Sequence, residues 1–367
     1  MNKRTAAIPA MTLLLVGTLA ACGGTSSAGS VIKSNATVNT AAGLVIDGES
    51  IADRATYDTA KTQTLSLYSG YQESNEKEFI AAFTKDTGIK VDLMRLVPAR
   101  LSERVLSEQG AGKLGADVIR TSDYDIVDGF AKAGVWDPYV VPGTSTLKDV
   151  VIEGGKFSRV AAVVQTFGYN TQVVSEADAP KSWADLLDPK WAGKIGISQG
   201  LSGGSNVALN RFVATKLTPG YWDKLAALKP VVYDGAGQKA TALARGEIAI
   251  ATTGSASVNV AATKDKAPVN YVVPAEGFVT FDYYLGKTKA AKNVEAAKIF
   301  MNYNFSKRGQ SLFAQLGDYA VRPDVAAPVA LGRELPDVTS DKVWRMSLAD
   351  VDKQVADSAV WKRAFKY

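Results

Sequence analysis

Pro180-Lys-Ser-Trp-Ala-Asp-Leu-Leu-Asp-Pro-Lys-Trp-Ala-Gly-Lys-Ile-Gly-Ile-Ser-Gln-Gly-Leu-Ser-Gly-Gly-Ser-Asn206 holds three local signals in succession. Ser182 followed by Asp185 makes a capping-box-like helix start, and Trp183, Leu186 and Leu187 give that short helix an apolar face. Lys194 to Ser198 predicts a compact strand with Ile195 and Ile197 on one face. A Gly/Ser turn from Gln199 to Ser205 follows, and a helix opens near Asn206. A strand that ends in such a turn aims several backbone N–H groups at one point, which suits an anion or another oxygen-rich ligand. An ordinary strand-to-helix loop has the same composition, so this stretch alone leaves both readings open.

Outward from it the chain alternates strand and helix. Leu65, Leu67 and Tyr68 predict a strand ending at Ser69-Gly70-Tyr71. Asn75 and Glu78 start a helix that points Phe79, Ile80 and Phe83 inward and stops at Gly88. Lys90 to Leu96 is a second strand, and Ala116 to Arg120 a third that runs into Thr121-Ser122-Asp123-Tyr124. Beyond Asn206 the pattern resumes, with strands at Val231 to Tyr233 and Glu247 to Ala251, the latter ending at Thr252-Thr253-Gly254-Ser255. Lys156 to Asn170 and Phe278 to Leu285 read as extended segments passing between two halves. Such alternation implies mostly parallel sheets, whose ligands sit beyond the carboxyl ends of the strands. A chain of 367 residues also exceeds what one core usually holds.

The first residues read as an address. Lys3 and Arg4 precede an apolar run, Ile8 to Ala20, that is too short to span a bilayer comfortably. Leu19-Ala20-Ala21-Cys22 resembles a bacterial lipobox, which implies cleavage after residue 21 and lipidation of Cys22, the only cysteine. Residues 22–48, rich in Gly, Ser, Thr and Ala at their start, are expected to form a flexible tether, and residues 49–61 a short helix. The formal charge of +5 loses two units with Lys3 and Arg4. The remaining Lys and Arg are scattered, without the basic runs or aromatic interleaving of a nucleic-acid binder.

Taken in order, these stretches resemble the extracellular solute-binding proteins of ABC importers, in the ferric-ion, phosphonate, sugar-phosphate and thiamine branch. The resemblance is carried by Leu65-Ser-Leu-Tyr-Ser-Gly70, by Ala116-Asp-Val118 leading to Ser122-Asp123, and by Pro180 through Lys194. Ala297 through Ser306 to Gln310, and Gly317-Asp-Tyr-Ala-Val-Arg-Pro-Asp-Val325, complete it. It implies an α/β, two-lobed periplasmic-binding-protein-like fold of type II, each lobe a mostly parallel sheet flanked by helices, joined by two crossover strands. Lobe 1 would span residues 62–165 plus 278–367, and lobe 2 residues 166–277. Ser69, Gly70, Tyr71, Ser122 and Asp123 would line one side of the cleft. Ser202, Gly203, Gly204, Ser205 and Asn206, with Thr253, Gly254 and Ser255, would line the other. The implied partners are a small solute and a membrane permease, with the binding protein a monomer held outside the membrane by its lipid, carrying no cofactor and no nucleic acid.

Two patterns invite other readings. Gly200-Leu-Ser202-Gly-Gly204 matches a nucleophile elbow, but a chain without histidine holds no Ser-His-Asp triad, and zinc or copper sites are weakened for the same reason. Tyr283-Tyr284 resembles the tyrosine pair of ferric-ion relatives. It lies on an extended segment, where neighbours point to opposite faces, so one ring is expected in the core and one outside. The expected ligand is a small anionic organic solute, phosphorylated, phosphonate or carboxylate, with ferric ion or a cation such as thiamine as the alternatives. Arg120, Arg159, Arg211 and Lys239 are candidate counter-charges that otherwise read as surface residues. Asp123, Asp234 and Asp282 would suit an amine, and Tyr71, Tyr124 and Tyr169 a ring.

Overall fold

Fourteen residues of one strand, Phe157–Asn170, tie the molecule together. The computed structural model describes residues 30–200 and 203–367; the readings at residues 1–21, Cys22 and Ser202 lie outside them. The chain begins with β1 (Val38–Asn39), β2 (Gly43–Ile46) and β3 (Glu49–Asp53), then α1 (Arg54–Ala60). Next come β4 (Thr64–Ser69), α2 (Glu73–Thr87), β5 (Lys90–Arg95), α3 (Pro98–Gly110), β6 (Val118–Ser122) and α4 (Tyr124–Lys132). The short β7 (Val151–Ile152) precedes the long β8 (Phe157–Asn170). Then follow β9 (Ile195–Ser198), α5 (Gly204–Lys216), α6 (Tyr221–Ala227), β10 (Val231–Tyr233), α7 (Ala236–Ala244), β11 (Ile250–Thr253), α8 (Ser255–Lys264) and β12 (Val269–Val272). The chain returns through β13 (Phe278–Lys287), α9 (Val294–Phe305), α10 (Lys307–Leu316), β14 (Tyr319–Ala320), β15 (Val329–Ala330), β16 (Arg333–Glu334), β17 (Val343–Arg345) and α11 (Gln354–Phe365).

In lobe 1, β5, β4 and β6 run parallel, and β13 lies antiparallel against β6. In lobe 2, β9 runs parallel to both β10 and β11. β8 serves both lobes: residues 158–165 pair with β13, and residues 166–170 with β11 and β12. The partner therefore changes between Gln165 and Thr166, and the second crossing runs from the end of β12 to Phe278. The first crossing falls inside the extended segment Lys156 to Asn170, and the second comes just before the segment that starts at Phe278. The central strands are covered on both faces: every residue of β6 and all but one of β8 are buried.

Three expectations are corrected. The tether and helix of residues 22–61 are folded differently over their described part. β1 to β3 form an antiparallel sheet whose Leu44, Ile46 and Ile51 join the main core, and the helix starts only at Arg54, where Asp53 accepts from the Thr56 amide. Val31 also packs, against Ala256, Val260 and Leu316. α2 begins at Glu73, so Asn75 and Glu78 make no capping box and Asn75 is buried in the first turn. Finally, the C-terminal segment leaves lobe 1. After β17 pairs with β13, α11 packs on α5 and α6 of lobe 2, stacking Phe365 between Trp361 and Trp222. Arg211 on α5 fixes it through Asp350 at 3.1 Å and Asp357 at 3.4 Å. The capping box at Ser182 and Asp185 does form, around a single 3₁₀ turn at Ala184–Leu187.

The N-terminal sheet gives a direct test. Leu44→Ala is expected to lower the unfolding free energy by about 2–5 kcal/mol, the range for emptying a buried leucine site. A chemical denaturation curve reads this; a flexible tether would show no change.

Candidate functional site

The two lobes face each other across a cleft built from strand ends and helix starts. The amino ends of α2, α3, α5, α7 and α8 all reach it, through Gln72, Pro98, Ser205, Ala236 and Gly254 among others. The first four N–H groups of any helix lack intrahelical partners. Among the described residues none of these five helices is capped by its own N-cap side chain, although the Gly204 N–H of α5 is taken by Ser122 Oγ. Elsewhere α1, α4 and α10 are capped by Asp53, Asp123 and Ser306, while α6, α9 and α11 have no side-chain cap. The cleft thus gathers positive helix ends and free backbone donors from both lobes.

Eight of the expected residues line it: Gly70, Tyr71, Ser122, Gly203, Ser205, Asn206, Thr253 and Gly254. Four stand elsewhere. Ser69 is fully buried under the wall, donating to Glu76 and accepting from the Tyr71 amide. Asp123 turns away to cap α4 through the Asp125 amide, at a backbone φ of 81°, and burial and the nearby Asp125 push its carboxyl up to about 6. Gly204 is a contact between lobes: its N–H donates to Ser122 Oγ at 3.2 Å, and a Cβ there would lie 2.9 Å from Ser122 Cβ. Ser255 donates to the Gly317 carbonyl at 2.8 Å on the hinge side.

The cations are where sequence reading fell short. Arg95 ends β5 and lines the cleft; its Nε donates to the Tyr71 carbonyl at 3.0 Å, and it has no ion pair among the described residues. The same strand-end rule that singles out Ser69 and Ser122 applies to it. Lys239, a candidate counter-charge that otherwise reads as a surface residue, lies one turn into α7 and is only 4% exposed. Its Nζ donates to Ser198 Oγ at 2.7 Å and Thr252 Oγ1 at 2.8 Å. The stem passes Gly196, where a Cβ would touch Lys239 Cγ at 3.4 Å and clash with Ile248 Cδ1 at 2.3 Å. Burial pulls the Lys239 ammonium down to about 7. Asn75, Gln165, Ser198 and Thr252 add polar groups, and no Asp or Glu lines the cleft among the described residues. The other candidate arginines are engaged: Arg120 with Glu76, Arg159 with Asp282, and Arg211 with Asp350 and Asp357.

The tyrosine pair does split across β13, but neither ring is outside. Tyr283 faces the cleft, and Tyr284 is buried behind it against Phe157 and Tyr124. Tyr283 donates to the Gly70 carbonyl at 3.1 Å, and burial pushes its phenol up to about 12. Tyr71 donates to Asp318, and burial with the Asp318 charge raises its phenol well above the usual value. Asp318 in turn accepts from the Val164 amide of β8, linking the cleft wall to the crossover strand.

Burial also pushes the Asp318 carboxyl up to about 7. A carboxyl that binds its proton more tightly folded than unfolded makes stability fall as pH rises from about 4 to about 7. Asp318→Asn is expected to flatten that fall, by up to about 1.4 kcal/mol per pH unit for one proton. Urea midpoints across this window read it; parallel curves for both proteins would refute the assignment.

The family model of bacterial extracellular solute-binding proteins matches residues 116–343. A spermidine/putrescine-binding periplasmic protein of Haemophilus influenzae is 27% identical over 278 residues, covering 71% of this chain and 76% of that one. Iron-bound HitA of Pseudomonas aeruginosa superposes with a TM-score of 0.64 at 22% identity, over 82% of this chain and 99% of that one. The periplasmic binding protein AfuA of Actinobacillus pleuropneumoniae, with fructose-6-phosphate bound, gives 0.61 at 20% identity, over 83% and 96%. These likenesses share the type II two-lobed fold, while the ligands printed for them differ even in sign of charge. The chain belongs to the bacterial extracellular solute-binding proteins, non-enzymatic proteins that bind a small solute outside the cytoplasm for an ABC importer.

Proposed function

We propose that this protein captures a small anionic organic solute, phosphorylated, phosphonate or carboxylate, between its lobes and delivers it to a membrane permease. The observation that carries this reading is the charge of the cleft: Arg95 and Lys239 line it without a carboxylate among the described lining residues. Five uncapped helix starts supply N–H donors of the same sign. A polyamine or thiamine would meet cations where it needs carboxylates. Ferric ion would need phenolates, and Tyr71 and Tyr283 both spend their hydroxyls inside the protein, on Asp318 and on the Gly70 carbonyl. The candidate contacts are Gly70, Tyr71, Ser122, Gly203, Ser205, Asn206, Thr253 and Gly254, joined by Arg95 and Lys239. A lipid on Cys22 would hold the protein at the membrane beside its permease.

A thermal-shift panel separates the ligand classes. A phosphate monoester, an alkylphosphonate or a dicarboxylate is expected to raise the midpoint, by about 2.7 kcal/mol of stabilisation at a hundredfold excess over Kd. Arg95→Gln and Lys239→Met should each weaken that ligand roughly 10- to 150-fold, the range for hydrogen bonds to a charged group. A shift with spermidine, thiamine or ferric citrate and none with the anions would overturn the proposal.

A further inference from the structure

We infer that Lys239 also acts as the gate of the cleft: closing the lobes without an anion strips water from a cation that has only two hydroxyls to replace it. This extends the anion reading to the same residue, and it concerns the unliganded protein rather than ligand identity.

The geometry is specific. Lys239 rises from α7, and its ammonium sits between the ends of β9 and β11, donating to Ser198 and Thr252. Both partners are neutral, and both belong to lobe 2. The opposite wall is Val97, Pro98 and Arg95 of lobe 1, with Val97 within 3.3 Å of the place a Cβ on Gly235 would occupy. Tyr233 of β10 flanks the lysine stem across Gly196, its phenol raised by burial and by Glu247. Asp234, just before α7, accepts from Gln199 at 2.7 Å and does not line the cleft. The one charged side chain lining the facing wall, among the described residues, is therefore Arg95, of the same sign. Where most buried cations are neutralised by a carboxylate, this one is left for a visitor to neutralise.

The consequence is a proton linkage. A solvated lysine titrates near 10.4. Under the closed lobes burial alone brings Lys239 to about 7. The part of that burial that lobe 1 supplies is lost when the lobes open, so closure without an anion favours proton release, and the closed-to-open ratio should rise with pH above about 7, by at most about tenfold per unit. With a bound anion the ammonium keeps its charge, and closure needs no proton release.

Small-angle scattering of the full chain, freed of phosphate and sulfate, tests this at about pH 6.5 and about pH 9.5. The unliganded wild type should be extended at the lower pH and contract at the higher. Lys239→Met should be contracted at both, and Lys239→Arg, whose charge cannot be shed, extended at both. A wild type of the same radius at both pH values, or Lys239→Met as extended as wild type at the lower pH, would overturn the gate. Should Lys239→Met fail to fold, the wild-type series and Lys239→Arg decide it. A thermal-shift arm with a phosphate monoester keeps the two ideas apart. Stabilisation without the expected scattering pattern sinks the gate and leaves the anion reading, and the converse sinks the anion reading and leaves the gate.

Discussion

A buried ammonium with no counter-charge is the constraint around which this site is arranged. Desolvating a lysine is expensive, and proteins that bury one usually supply a carboxylate or let the proton go. Here the Lys239 ammonium rests on Ser198 and Thr252, each at the carboxyl end of a lobe 2 strand or within its last turn of backbone. Across the cleft Arg95 repeats the sign, and five helix starts reinforce it. The fold can tolerate this concentration because the cleft is where two separately folded walls meet, so water reaches it whenever they part. Stability is supplied elsewhere, by aromatic packing such as Phe79 and Phe83 against Phe300 and Tyr303.

The acidic groups near the cleft are all spoken for, which is what leaves the cations unpaired. Glu76 lies beneath the wall and is consumed by Arg120 and Ser69. Asp318 is held by Tyr71 and by the backbone of β8. Asp282, on the strand that carries Tyr283, pairs with Arg345 and Arg159 behind the cleft. Each of these carboxylates faces a core or the far side of the sheet, so the surface presented to solute is basic and neutral only. Behind the cleft the two lobes are also joined by Ser255 to Gly317 and Lys264 to Glu78.

Much of this was legible in the residues. The strand-turn-helix units at Ser69-Gly70, Ser122 and Thr253-Gly254 mark carboxyl ends, and the crossovers show as apolar runs too long for one strand's partner. The type II likeness supplied the two lobes. What stayed hidden depends on long-range packing. Lys239 sits on a helix whose pattern gives no sign that its stem will cross Gly196. Arg95 is within reach of the strand-end rule, although it ends a half-exposed strand. Ser69, Asp123 and Ser255 have the right composition at the right ends, but their side chains serve a buried carboxylate, a cap and the hinge. Residues 38–48 looked like tether and 49–53 like the start of a helix because strands so short carry almost no periodicity, and only their docking on the core makes them strands. The swing of α11 onto lobe 2 is likewise set by the Trp222 and Arg211 surfaces that it covers, not by its own sequence.

The central claim is that the occupant of the cleft is an anion held by Lys239 and Arg95. A crystal structure of the protein with the anion that most raises its melting midpoint addresses it directly. Anionic oxygens are expected within hydrogen-bond distance of Lys239 Nζ and the Arg95 guanidinium, with the amides at the starts of α5 and α8 turned toward them. A cation or metal ion in that position, or the anion bound outside the cleft with Lys239 still resting on Ser198 and Thr252 alone, would contradict it.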